Sequence, residues 1–185
     1  MRFTDIQIAE LSPQDFAVLK TARGWFGLKL YDEVATELAK ASPGAFQHPD
    51  FLEIRSLLHA VKFEWMKSLI LAYQLTETAP RSPYGFCLRA DAIRNIRFGG
   101  PAAAYESLVE VVGRFPGCAL IKINLAGFAC EKGSLFTARR FLAKAFKLAA
   151  KSGELTFYRN LALTKSEFQP LWAEIPRIIE ITHRV

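Results

Sequence analysis

A chain of 185 residues, 51% hydrophobic and 23% charged, is long enough to bury a sizeable core and too apolar to be disordered. It holds no apolar run near the roughly 18 residues a membrane span needs. The opening Met1-Arg2-Phe3-Thr4-Asp5-Ile6 lacks a basic stretch followed by an apolar block, so no secretory signal is expected and the expected compartment is the cytoplasm. The net charge of +6 admits nucleic acid, an acidic peptide or an anionic surface as partner. The charge is read as spread along the chain, with Arg94, Arg97, Lys144, Lys147 and Lys151 in last turns and loops, where cations complement helix dipoles.

In chain order, the weak alternation of Phe3 to Ile8 is too short to nucleate a sheet. Ser12-Pro13 predicts the start of a first helix, an N-cap followed by proline at the first helical position. A second helix is predicted from about Tyr31 to Ala41, stopped by Ser42-Pro43. The next two run from about Asp50 to Lys62 and from Glu64 to Thr78, ending at Ala79-Pro80. Ser82-Pro83 opens a fifth, expected to end at Gly99-Gly100, and Pro101 starts a sixth that stops before Pro116-Gly117. A seventh is predicted over about Ala119 to Lys132, ended by Gly133, and an eighth from a Ser134 cap to about Lys151. Glu154 to Thr164 and a short helix opening at Ser166-Glu167 follow. Short turns within each pair force antiparallel neighbours.

Three kinds of position recur with one period. Val34, Ser68, Ala104 and Ala138 are 34, 36 and 34 residues apart. Ala22, Ser56, Ala92 and Ala126 repeat in the same register, as do Leu38, Ala72, Leu108 and Leu142. Small residues at fixed intervals let paired helices cross closely, and a shared period of this length marks stacked repeats. The series resembles the tetratricopeptide repeat in the form of small bacterial-type proteins, most clearly through Leu125-Ala126, Gly133, Ala138, Leu142 and Ala145. The first unit is the most degenerate, with Lys29 where the pattern has glycine. The resemblance implies an all-α, right-handed superhelical solenoid of about four helix pairs, at about 13–48, 49–82, 83–116 and 117–150. Residues 1–12 would be a lead, with Phe3, Ile6 and Ile8 available to cover one end. Residues 151–185 would form C-terminal capping helices, with Phe168, Leu171, Trp172, Ile175, Ile178 and Ile179 supplying the apolar contacts.

The resemblance also implies an inner wall built from the first helix of each pair. Its candidate peptide-binding residues are Arg23, Phe26, Glu53, Leu57, Phe86, Arg89, Ile93, Arg97, Ile123, Asn124 and Glu131; Phe16, Leu19, Asp50, Val61, Ile96 and Gly127 share that register. An apolar wall with a few arginines suits a peptide or protein segment that carries acidic groups. Two fillings stay open: a partner, or the chain's own terminal helices or a second protomer. Asn124 could hold a ligand's backbone or make a local helix bond. The expected function is a protein-interaction scaffold. A secretion-type or client-specific chaperone and an RNA-binding repeat protein are the alternatives, and homo-oligomerisation is compatible with each.

No catalytic constellation stands out, so no enzyme activity and no cofactor are expected. Cys87, Cys118 and Cys130 form no CxxC and read as buried thiols. His48, His59 and His183 lack ligand spacing, so no metal site is expected. Gly99-Gly100-Pro101 is a helix break and not a phosphate loop. Trp25, Trp65 and Trp172 read as core.

Overall fold

Ser12 does what its position promises. Its Oγ accepts the Asp15 backbone N–H at 3.1 Å, Pro13 takes the first helical position, and α1 runs over Pro13–Gly27. The computed structural model describes residues 10–183, so the Phe3 to Ile8 alternation and its capping role lie outside the described residues. Nine further helices follow among the described residues: α2 Tyr31–Leu38, α3 Pro49–Val61, α4 Trp65–Thr78, α5 Pro83–Asn95, α6 Pro101–Val109, α7 Ala119–Glu131, α8 Leu135–Lys151, α9 Leu155–Thr164 and α10 Ile175–His183. Short 3-10 segments occupy Pro43–Gln47, Val112–Arg114 and Ser166–Glu174. The described residues contain no strand.

Helix starts match the proline signals and helix ends do not all match. α2 stops at Leu38, α6 stops at Val109, and α5 stops at Asn95, four residues before Gly99. The α5 ending has a steric cause. The chain folds back so tightly that a Cβ on Gly99 would sit 1.7 Å from the Ile93 carbonyl oxygen, a position open only to glycine. Ser134 precedes α8 without making a side-chain cap bond, and the Ser82 hydroxyl reaches the Tyr84 N–H only at 3.4 Å. His48 caps α3: its Nδ1 accepts the Asp50 N–H at 3.2 Å, with Pro49 at the first position.

The turns inside two pairs hold side chains where the backbone favours glycine. Lys29 lies at φ 62° and Phe63 at φ 60°, while the matching turn before α8 uses Gly133 at φ 77°. Left-handed backbone costs a non-glycine residue about 1–2 kcal/mol. Lys29→Gly and Phe63→Gly should therefore each stabilise the fold by about 1 kcal/mol after the added unfolded-chain entropy is subtracted. An unchanged or lower urea midpoint would contradict this.

The chain divides into two compact units, Met1–Ala92 and Ile93–Val185. In the first, α1 packs on α2 and α3 on α4, and Val18, Leu19, Ala22, Val34, Leu38, Phe51, Ile54 and Leu58 form its main core. In the second, α7 packs on both α6 and α8, and α8 also carries α9 and α10. Its core gathers Ile123, Ala126, Ala138, Leu142, Phe146, Phe168, Leu171 and Ile175. All twelve residues of the three periodic series are at most 4% exposed. At one crossing the small residues are serines, and the Ser56 hydroxyl satisfies itself on the Ser68 carbonyl at 3.1 Å and lies 3.0 Å from the Ser68 hydroxyl.

Two polar clusters tie the first unit together. Asp15 accepts the Ser42 backbone N–H at 2.8 Å and the Ser42 hydroxyl at 2.9 Å, joining the start of α1 to the chain beyond α2. Beside α4, hydrogen bonds from Lys67 and then from His59 hold the Glu64 carboxyl down to a pKa of about 2. A carboxylate depressed in this way stabilises the fold fully above its unfolded value near 4.5, and that contribution disappears as pH falls toward 2. Glu64→Gln should accordingly flatten the decline in stability between pH 5 and 2. Identical acid profiles for the two proteins, read by urea melts, would refute the assignment.

Candidate functional site

On α1 and α3 the residues expected on the inner wall do come together. The Arg23 guanidinium donates to Asp50 Oδ1 at 2.7 Å and lies 3.8 Å from Glu53 Oε2, so the first helices of two successive pairs stand side by side. Phe26 and Leu57 are half-buried beside this ion cluster in sequence, and Phe16 is 59% exposed on α1. Phe26 meets Tyr31 edge to face at 5.4 Å, which fixes its ring. Leu19, assigned to the same wall, is 2% exposed and belongs to the core, because it falls on the face of α1 that packs with Val18 and Ala22.

The cluster is not a bare cationic site. Two carboxylates face one guanidinium, leaving a net negative charge. Burial raises the Glu53 pKa above the usual carboxylate value, Arg23 opposes that rise, and Asp50 adds to it. An added cation would relieve both effects.

The other candidates separate. Phe86 is buried at 4% exposure. Arg89 is half-buried, with its guanidinium 5.3 Å from the Phe86 ring and 5.4 Å from the ring of Tyr73 on α4. Ile93 is half-buried. Arg97 is off the helical wall altogether, since α5 ends before it, and it lies over the exposed Phe98 ring at 5.2 Å. Glu131 accepts from Arg94 Nε at 2.9 Å and from Arg94 Nη2 as well. That pair went unread in the sequence, where Arg94 stood only as a helix-end cation.

On α7 the face that carries the candidate residues is covered by the chain itself. Ile123 is 3% exposed, in one core with Phe168 and Leu171. A Cβ on Gly127 would come within 3.2 Å of the Glu167 side chain and 3.5 Å of the Phe168 ring. Segment Ser166–Glu174, a 3-10 run carrying Pro170 and not the short α-helix expected there, thus covers this face. The Asn124 amide donates to the Leu120 carbonyl at 2.9 Å, the local helix bond. Of the tail residues, Phe168, Leu171, Ile175 and Ile178 are buried and Ile179 half-buried. Trp172 is 37% exposed, and its indole N–H donates to the Ala162 carbonyl at 3.0 Å. Trp25 and Trp65 are half-buried rather than sealed.

No family model matches this chain, and no curated protein matches it.

The charge is distributed differently from the sequence reading. The second unit carries 14 Lys and Arg against 7 Asp and Glu, a net +7, and the first carries 10 against 11, a net −1. Among the described residues no three His, Cys, Asp or Glu side chains gather as a metal site. Cys87 and Cys130 are buried and Cys118 half-buried; burial pushes the Cys130 thiol up to about 11, far from a reactive thiolate.

Proposed function

We propose that this chain is a protein-interaction module of the tetratricopeptide type, a right-handed solenoid of about four helix pairs with a C-terminal cap. On this reading it holds a partner peptide along the wall of α1 and α3. The observation that carries the reading is the Arg23 bridge to Asp50 and Glu53, which aligns two first helices, while the equivalent face of α7 is occupied by the chain's own tail. The burial of all twelve periodic residues supports the repeat architecture.

The wall's chemistry also favours one kind of partner. Phe16, Phe26 and Leu57 offer apolar contact, and the net negative charge beside them calls for a basic residue in the ligand. The sequence-level expectation of an acidic partner rested on arginines that are now accounted for: Arg23 faces two carboxylates, Arg89 lies on two rings, and Arg97 sits in a turn.

Peptide display against the full chain tests this. Selected sequences should pair apolar residues with Lys or Arg, and their binding should fall at least about tenfold with Glu53→Lys, the order expected of a charge-assisted contact of about 1.5 kcal/mol or more. Selection of acidic sequences, or binding indifferent to Glu53→Lys and Phe26→Asp, would contradict it.

A further inference from the structure

One helix carries much of the second unit's positive charge. α8 has five cations and no acid in 17 residues. Arg139 is held by Glu174, its Nε and Nη2 donating to the two carboxylate oxygens at 2.6 and 2.7 Å. The other four, Arg140, Lys144, Lys147 and Lys151, follow one another at intervals of four, three and four residues. Helical geometry therefore puts them in one row, roughly 16 Å long, opposite the buried row of Ala138, Leu142, Ala145 and Ala149. None of the four makes an ion pair with another described residue.

Two details set this row apart from an ordinary solvated face. Surface helices normally intersperse both signs, because i,i+4 pairs of opposite charge add stability and like charges subtract it. Here the like charges accumulate, and a fifth joins them from α7. Lys122 is only 8% exposed and makes no hydrogen bond or ion pair with a described residue. Its pKa is lowered, chiefly by burial; Cys118 opposes that, and the nearby Lys144 charge adds to it. A largely buried cation beside another cation is relieved when an anion arrives. Aromatic rings line the same helix: Phe136 is 71% exposed with Arg140 5.8 Å from its ring centre, and Lys144 stands 5.7 Å from the Phe141 ring.

We propose that the Arg140–Lys144–Lys147–Lys151 row, with Lys122 behind it and Phe136 at its end, binds the backbone of a single-stranded nucleic acid. A phosphodiester chain carries one charge per nucleotide, which suits an uninterrupted line of cations. An acidic protein segment would need apolar anchoring along the row as well; the apolar hollow lined by Ala143, Ile178 and Ile181 touches the row at Arg140 and not at Lys144, Lys147 or Lys151, while Phe136 at the row's end is an exposed flat ring. That ring can stack any base. α8 packs on α7, α9 and α10, so too little of it is free to enter a duplex groove and read base edges. Binding should therefore be indifferent to sequence. This surface is separate from the α1 and α3 wall and does not depend on the peptide reading.

The test is fluorescence anisotropy of the full chain with a labelled 20-nucleotide oligothymidylate, across a salt series. Four phosphate contacts give a slope of log K against log salt of about −3, or about 50-fold weaker binding at 200 mM than at 50 mM. Lys144→Glu with Lys147→Glu should lower affinity at least about tenfold and reduce the slope by about 1.4. Lys147→Gln with Lys151→Gln, a neutral and milder pair, gives a second reading of the slope if charge reversal disturbs the fold. Three results overturn the proposal: no binding at 20 mM salt, binding unchanged in both double variants, or tighter binding to a 20-residue polyglutamate than to the oligonucleotide.

Discussion

Ala138→Leu should destabilise the second unit by about 3 kcal/mol. Ala138 on α8 and Ala126 on α7 are both fully buried in one core. A leucine there adds volume where two helices cross closely, and overpacking of this kind costs about 1–3 kcal/mol where the backbone can yield. The upper end applies because neighbouring Leu142 and Phe146 are themselves fully buried, leaving no free side to move into. Ala103→Leu on the exposed face of α6 is the matched control and should change stability by less than about 0.5 kcal/mol. Urea denaturation of both variants checks the pair. Equal midpoints would mean that the small residues at this period are compositional and not steric.

Removing the tail's two central anchors should have a larger effect. Phe168→Ala with Leu171→Ala deletes side chains that are 1% and 0% exposed from the core containing Ile123 and Ala126. Single truncations of this type cost about 2–5 kcal/mol, and a pair approaches the 5–15 kcal/mol that typically holds a whole domain together. The second unit should lose its cooperative melt and bind a hydrophobic dye, since the α7 face is then uncovered. A sharp melt within a few degrees of the parent would show that segment Ser166–Glu174 merely rests on α7.

The contrast between these two predictions shows what the sequence made legible. Val34, Ser68, Ala104 and Ala138 could be picked out because small or near-small residues at a common spacing stand out without any knowledge of their partners, and all four are buried. Helix starts could be read because Ser12-Pro13, Ser82-Pro83 and Pro101 act locally. The α5 end could not, because it depends on the backbone of Gly99 passing against Ile93. The wall was legible only where its neighbours were local. Ile123 has the register of an exposed residue and is buried because a segment more than 40 residues later folds onto it. Arg23 reads as a free cation until α3 brings Asp50 and Glu53 to it. The concentration of charge in the second half was present in the sequence all along. It became meaningful once the unit boundary fell at Ala92.

The proposed wall on α1 and α3 is the centre of the functional reading, and amide shift mapping probes it most directly. A 15N-labelled sample of the 20.8 kDa chain is titrated with a peptide obtained by display. The account predicts that the largest shifts cluster at Arg23, Phe26, Glu53 and Leu57, with Ile123 and Asn124 unmoved beneath the tail. Shifts centred on α7 or the Ser166–Glu174 segment, with α1 and α3 silent, would contradict it.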